Sequence, residues 1–259
     1  MAKILLAVFI FPGLLRSGAD QSNWITEENK NYSFHYTKED AAYKDEYTRM
    51  IDEGIRTVNS FFKIPFQQNF DVFVYPDRPS LDSTWRADWS MPDFHSECWM
   101  VASGVAQKLD LLSPATWDAS SCEHSYLDRI KTQQLITHEL VHVFHGQYNI
   151  SPDFSQTDGI DWFVEGLATY ASGQCDAERL AEVRGAIDRG TIPATLDEYW
   201  SGKLKYGLSG SMVQFIDQHY GRAQLISLLQ YHSKIQLLQV LHTTDMELIQ
   251  QWAEFMRQR

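Results

Sequence analysis

Two histidines and a glutamate stand close together near the middle of the chain, in the segment His138-Glu-Leu-Val-His142. Apolar residues recur around it at helical spacing, which predicts that the segment lies on a helix. Four residues turn an α-helix by one full turn and about 40° more, so both imidazoles project from one face and could bind one metal ion. Glu139 adjoins this face, where it could reach a water at the metal without being a ligand.

A third ligand is needed, because a His-Glu-x-x-His pattern arises by chance in such a chain with a probability on the order of one in a hundred. The metzincin pattern would place Gly and then His after His142, but the corresponding positions hold His145 and Tyr148. Glu165 lies further along the chain, on a second apolar-periodic run at residues 161–170. This glutamate supplies the carboxylate that a zinc site with two histidines requires.

The pentad at 138–142 and the segment Trp162-Phe-Val-Glu-Gly-Leu-Ala-Thr-Tyr170 together resemble the gluzincin metallopeptidases. The nearest likeness is to the peptidase MA-like domains of bacterial exported proteins, and it extends over about residues 30–257. The resemblance implies an α+β, zincin-like fold that hydrolyses peptide bonds in peptide or protein substrates. It implies one Zn²⁺ per chain, with Glu139 as the general base. The metal ligands that it implies are His138, His142 and Glu165.

A second donor to the developing oxyanion is also expected, and in the resembling families a Tyr or His from the helical half provides it. Tyr206 is our candidate, because it precedes an apolar-periodic helix in the corresponding position. The alternative interpretation of Tyr206 is a packed aromatic residue with its hydroxyl at the surface. The other candidates for the donor are Tyr199, Tyr220, His145 and His232.

The sequence departs from the resembling families at two places. Aminopeptidases of this kind carry a Gly-x-Met-Glu-Asn strand, but the corresponding strand here reads Ala102-Ser-Gly-Val-Ala-Gln-Lys108. Recognition of a substrate amino terminus is therefore not indicated, although the strand could still pair with an extended peptide along its edge. Thermolysin-like members place an Asp four residues after the ligand glutamate, where this chain has Thr169. The residues that orient the histidines are thus left unassigned.

The elements that must position these residues differ between the two halves of the chain. Residues 32–37 alternate like a strand, residues 70–75 form a second β-rich run, and residues 43–62 carry a helical pattern between them. Residues 77–97 are predicted as a long loop and residues 98–112 as strand. From about residue 127 onward helices dominate. The predicted helices are 130–144, 162–171, 177–188, 208–219, 223–231 and 246–256, the last with a capping box at Thr244 and Glu247.

These patterns predict a single domain over residues 20–259, with a sheet-containing lobe at 20–126 and a helical lobe at 127–259. Residues 1–19 resemble a secretory signal, with an apolar run and then the small residues Ser17-Gly18-Ala19. We therefore expect a secreted or periplasmic protein, which meets its substrate as a monomer. No later stretch is apolar enough to span a membrane. The formal charge of −12 argues against a nucleic-acid partner.

Three cysteines remain in the expected mature chain. In an oxidising compartment we expect Cys98 and Cys122 to pair and Cys175 to stay free, while three buried free thiols are the alternative. Cys122 and His124 could in principle bind a metal, but no second pair of ligands accompanies them. A function of another class also stays open: a secreted protein that keeps the scaffold and a zinc ion for binding, without turnover.

Overall fold

The computed structural model of the protein describes residues 23–258, and the predicted signal at 1–19 lies outside this range. The described residues form one mixed five-stranded sheet and ten α-helices, which confirms the α+β prediction. None of the helices in this range is long and apolar enough to cross a membrane. The strands are β1 (Ile25–Glu28), β2 (Tyr32–Tyr36), β3 (Phe70–Tyr75), β4 (Ala102–Val105) and β5 (Lys108–Leu112).

The sheet has the order β1-β2-β3-β5-β4, so β4 forms one of its edges. Strands β2, β3 and β5 run parallel to one another, while β1 and β4 pair antiparallel with their neighbours. Alternate residues of the central strands, such as Phe34 and Val72, are fully buried. Because side chains alternate across a strand, this pattern fixes which face of the sheet packs against the helices.

Seven of the ten helices lie where the sequence predicts them, with several differences at their ends. Their bounds are α1 (Lys44–Phe62), α2 (Arg78–Asp88), α3 (Trp117–Ser120), α4 (Arg129–Tyr148), α5 (Asp161–Ala171), α6 (Ala177–Asp188), α7 (Lys205–Tyr220), α8 (Arg222–Leu228), α9 (Lys234–Val240) and α10 (Asp245–Arg257). The capping box at Thr244 and Glu247 is present at the start of α10. The short helices α3 and α9 and the edge strand β1 were not predicted.

The prediction of a loop over residues 77–97 is wrong, because α2 occupies its first half. The side chain of Asp77 caps this helix by accepting a hydrogen bond from the Ser80 amide. Leu81 and Trp85 lie one turn apart and are both buried, so they form a narrow apolar face. Such a short stripe is masked in the sequence by the surrounding Asp, Ser and Pro residues.

The prediction of strand over residues 98–112 is also wrong in detail, since β4 and β5 form a hairpin there. Ala106 and Gln107 make the two-residue connection between them. The connection lacks the Asn-Gly or Gly-Gly pair that typically marks such turns, which is why the sequence pattern runs on without a break.

Helix α4 lies at the centre of the fold and carries the pentad. It packs against α1, where the rings of Phe62 and Phe144 stack with centroids 4.4 Å apart, and against β4 and α5. Residues on almost every side of its second half are buried, so this part of the helix lies inside the fold and has no broad face turned to solvent. The side chain of Asp128 caps its first turn by accepting from the Lys131 amide.

Helix α5 packs closely against α7, and Gly166 permits this approach. A Cβ atom at Gly166 would collide with the backbone carbonyl of Ser209 on α7. The glycine that follows the predicted ligand glutamate therefore has a packing role. It brings the start of α7, with Tyr206, toward the face of α5 that carries Glu165.

Candidate metal centre

The structure brings His138, His142 and Glu165 together. On α4 the Nε2 atoms of His138 and His142 are 3.1 Å apart. From α5 the Oε2 atom of Glu165 lies 3.3 Å from Nε2 of His138 and 3.6 Å from Nε2 of His142. Among the described residues, this is the group of His, Cys, Asp and Glu side chains whose ligand atoms are close enough to hold one metal ion.

The three separations match a small tetrahedral ion. Zinc bonds of about 2.0–2.1 Å in tetrahedral geometry place neighbouring ligand atoms roughly 3.3–3.4 Å apart. Two imidazoles and one carboxylate are also ligands that zinc prefers, whereas magnesium and calcium prefer oxygen atoms. The donor set therefore fits zinc, and it leaves a fourth position toward the cleft.

The charge of Glu165 is stabilised by its neighbours. Burial by itself would raise the pKa of this carboxyl. The imidazoles of His142 and His138 outweigh that effect and hold the pKa well below its usual range. Glu165 is thus an anion at neutral pH, the form in which a carboxylate binds a metal.

Glu139 lies beside the two histidines in a different environment. Its side chain is half-buried and accepts a hydrogen bond from the backbone amide of Gly104 on β4. Burial raises the pKa of Glu139 to about 7, with the nearby Glu165 adding to the shift and His138 opposing it. A carboxylate with this pKa is suited to exchange protons near neutral pH.

Gly104 has a steric role at the same place. A Cβ atom there would collide with the backbone carbonyl of Glu139 and would lie 3.2 Å from the Cβ of His142. Only glycine therefore allows β4 to approach the pentad so closely. This contact sets the distance between the edge strand and the metal ligands.

Gln174 orients one of the histidines and was not found by sequence reasoning. Its Oε1 atom lies 2.8 Å from Nδ1 of His138. An amide oxygen only accepts, so Nδ1 carries the proton and Nε2 is left with a lone pair for a metal. The backbone carbonyl of Gln174 in turn accepts from Arg179 at 2.7 Å. Gln174 sits in the turn after α5, where no periodicity or motif marks it.

Thr169 does not take the orienting role of the Asp that it replaces in thermolysin-like enzymes. Its hydroxyl is buried and makes no hydrogen bond within the part of the chain that the structure describes. The Nδ1 atom of His142 is likewise buried without a partner there. The two histidines therefore differ at Nδ1, where His138 has a hydrogen-bond partner and His142 has none within the described residues.

The metal ligands open into a cleft of about 680 Å³. Strand β4 forms one wall, α4 forms the floor, and α5 with the start of α7 forms the other wall. Tyr206 lines this cleft beside Glu165 and Glu139. Burial raises the pKa of Tyr206 to about 12, and the two glutamates add to the shift, so its hydroxyl stays protonated and can donate.

The four alternatives to Tyr206 do not line the cleft. Tyr199 is fully buried against Trp252, and the hydroxyl of Tyr220 donates to Gln251. His145 is buried behind the metal ligands, where its Nε2 atom lies 3.2 Å from the carbonyl oxygen of Leu229. The remaining alternative, His232, lies in the turn before α9.

The outer edge of β4 faces the cleft. Ser103 and Val105 pair with β5, at Asp110 and Lys108 respectively. In an antiparallel ladder, backbone groups point alternately to the partner strand and away from it. The N–H of Gly104 points away from β5 and toward Glu139, so the backbone groups of Gly104 lie on the outer edge of β4.

A disulfide loop forms one end of the same wall. Cys98 and Cys122 are joined in the structure, while Cys175 is free and half-buried, and burial raises the pKa of its thiol to about 12. Trp99, next to the disulfide, lines the cleft. The guanidinium of Arg78 holds the loop by donating to its backbone, including the carbonyl of Cys98 at 3.1 Å and that of Met100 at 2.8 Å.

No family model and no curated protein matches this sequence. Solved structures that are similar include a mutant of a two-domain M1 zinc metallopeptidase bound to L-tryptophan, with 16% identity and a TM-score of 0.44 over 89% of this chain and 51% of that one. Another is a mutant M1 zinc metallopeptidase from Deinococcus radiodurans bound to a Tyr-Ser-Ala substrate, with 15% identity and a TM-score of 0.42 over 90% and 51%. The chain spans about half the length of these proteins. These likenesses, with TM-scores below 0.5, are too distant to bear on function.

Proposed function

We propose that the protein is a zinc-dependent, gluzincin-type metallopeptidase with a zincin-like fold. One observation carries the proposal: three ligand atoms converge at the spacing of a tetrahedral zinc site, directly beside Glu139 and an open edge strand. His138, His142 and Glu165 would hold the ion. When bound, zinc would lower the pKa of a water toward 7 and polarise the substrate carbonyl.

Glu139 acts as the general base. Its pKa of about 7 allows it to take a proton from the attacking water and to deliver that proton to the leaving amine. The backbone amide of Gly104 favours the ionised form of this carboxylate, which is the form that accepts the proton.

Tyr206 stabilises the developing oxyanion from the opposite wall of the cleft. Its hydroxyl is protonated at neutral pH and lines the cleft together with the ligands. When a hydrogen-bond donor is in place before the reaction, its hydrogen bond to the carbonyl oxygen becomes stronger as negative charge develops on that oxygen. This role is available to Tyr206 and not to Tyr199, which is packed in the core.

Strand β4 binds the substrate backbone. An extended peptide that pairs with its outward edge gains main-chain hydrogen bonds, and these carry little sequence preference. Export of the protein is part of the proposal, because a disulfide between Cys98 and Cys122 is typical of an oxidising compartment. The substrate is thus an extracellular or periplasmic peptide or unfolded protein.

The decisive experiment compares Glu139→Gln with Glu178→Gln, a change of the same kind at an exposed residue of α6. Glu139→Gln should keep one zinc per chain and lose at least about a hundredfold in kcat, the usual effect of removing a general base. The control should keep both zinc and activity. Near-normal kcat in Glu139→Gln would contradict the mechanism, and a zinc-loaded wild type that cleaves no peptide would favour the binding protein without turnover.

A further inference from the structure

The cleft has two electrically different ends along β4. Beyond the C-terminal end of the strand, the amide of Ala106 donates to the carbonyl of Pro152 at 3.0 Å and ties down the next segment. This segment and the start of α5 contribute Asp153 and Asp161 to the cleft lining. Among the described residues, no lysine or arginine lines this end, so it is negatively charged.

The opposite end of the cleft carries cations. Lys131, Arg179 and Lys205 line it. Lys131 is paired with Asp128 at 3.8 Å, and Arg179 with Asp176 at 3.4 Å. Within the described part of the chain, Lys205 has no carboxylate at ion-pair distance and contacts aromatic rings instead. Lys205 is therefore the cation at this end that can form an ion pair with a bound ligand.

Lys205 also closes the cleft at this end. Its Nζ atom lies 5.2 Å from the ring centroid of Trp99 on the disulfide loop, and 4.6 Å and 5.2 Å from those of Trp200 and Tyr206. Cation–π contacts with both walls hold the ammonium between them. Glu123 also lines this end, but it is exposed to solvent, where water screens its charge.

The two charged ends select one direction for a bound peptide. A peptide that pairs antiparallel to β4 places its carboxyl-terminal part toward Lys205 and its amino-terminal part toward Asp153 and Asp161. Both chain termini then meet opposite charge. The parallel arrangement would bring each terminus to like charge, which is unfavourable at both ends.

The position of Lys205 relative to Tyr206 sets how much peptide fits beyond the cut bond. The ammonium of Lys205 is 5.2 Å from the centroid of the Tyr206 ring. In the proposed mechanism the hydroxyl of this ring faces the reacting carbonyl. An extended peptide advances roughly 3.4 Å per residue. A carboxylate that contacts Lys205 therefore belongs to the first or second residue after that bond.

We propose that the cleft recognises the free carboxyl terminus of its substrate through Lys205, and that the protein removes one or two residues from that terminus. This proposal rests on the proposed peptidase function. Hydrolysis adds the hydroxyl of water to the acyl carbon and a proton to the amide nitrogen as the C–N bond breaks. The products are a shortened peptide with a new carboxylate and a free amino acid or dipeptide.

The test uses two N-acetylated hexapeptides of identical sequence, one ending in a carboxylate and the other in a carboxamide. For the zinc-loaded protein, kcat/KM should be at least about tenfold higher for the carboxylate, as expected for a charge-assisted contact. Mass spectrometry should show release from the carboxyl terminus. Lys205→Met should reduce the ratio of the two rates to about one, because Tyr206 and the metal act equally on both peptides.

Lys203→Met is the matched control, since Lys203 is exposed and does not line the cleft. It should keep the wild-type ratio. Equal rates for both peptides in the wild type, or cleavage at internal bonds only, would overturn the proposal and leave the peptidase function standing. Binding to the zinc-loaded Glu139→Gln variant separates the two proposals. If this variant binds the carboxylate peptide more tightly than the carboxamide peptide, the result supports recognition of the carboxyl terminus by Lys205, even if no peptide is hydrolysed. Equal binding of the two peptides counts against that role of Lys205.

Discussion

The side-chain oxygen of Gln174 accepts a hydrogen bond from Nδ1 of His138, with 2.8 Å between the two atoms. The bond fixes both the tautomer and the rotation of the ring, so Nε2 points at the position shared with His142 and Glu165. The sequence resemblance pointed to position 169 on α5 for such an orienting side chain, but the hydroxyl of Thr169 makes no hydrogen bond within residues 23–258. The same orienting function is thus provided from the turn that follows the helix.

Gln174→Leu should weaken zinc binding by about 10–100-fold, the usual effect of losing a partner of a ligand histidine. Competition with a chromophoric chelator measures the affinity. Gln174→Glu is the matched variant and should retain most of the affinity, because its carboxylate can accept the same hydrogen bond. If both variants bind zinc like the wild type, Gln174 does not orient the ligand.

Glu165→Ala should lower zinc affinity and activity together, since two histidines alone hold the ion poorly. Zinc content after dialysis at low free metal, measured beside kcat, checks this. Glu182→Ala on the exposed face of α6 is the control and should change neither. Full zinc occupancy in the Glu165 variant would show that Glu165 is not the third ligand.

Tyr206→Phe should lower kcat and kcat/KM together by about 10²–10³ without changing zinc content, because its hydroxyl acts in the transition state. The melting temperature should stay the same, since only the hydroxyl is removed. Tyr199→Phe removes a buried hydroxyl that makes no hydrogen bond within residues 23–258, and it should stay active. A fully active Tyr206→Phe variant would mean that this residue is not the oxyanion donor.

His145 should make the fold sensitive to acid. Burial lowers the pKa of this side chain to about 3 in the folded protein, with the neighbouring His142 adding to the shift. An unfolded histidine has a pKa of about 6.5, so between these values the unfolded state binds one more proton and stability falls as the pH falls. The slope from His145 is at most about 1.4 kcal/mol per pH unit.

His145→Gln should therefore lose less unfolding free energy than the wild type between pH 6.5 and pH 4. This interval lies between the pKa of His145 in the unfolded chain and its pKa of about 3 in the folded protein. Urea titrations in the presence of a chelator measure it without the contribution of metal release. His95→Gln, at an exposed side chain, is the control and should keep the wild-type slope. Equal slopes in all three proteins would show that His145 is not held neutral by the fold.

Prediction from the sequence succeeded where one local pattern determined the result. The helical spacing of residues 43–62 and the apolar runs at 161–171 and 177–188 identified α1, α5 and α6 nearly to the residue. The prediction failed at α2, whose apolar face rests on Leu81 and Trp85 inside a polar segment. It also failed at the β4–β5 hairpin, whose turn has no typical turn residues.

The sequence alone determined the residues that form the proposed metal site. The spacing of His138 and His142 on one helix is a local property, and so is the position of Glu165 on the next helix. Helix geometry then fixes the direction in which each of these side chains points. Gln174 and the ring contacts of Lys205 were decided only by the tertiary structure. Gln174 is 36 positions from His138, and Trp99 is more than a hundred from Lys205. Contacts over such separations depend on how whole elements pack, and close packing such as that of Gly104 on α4 and Gly166 on α7 leaves no periodic trace in the sequence.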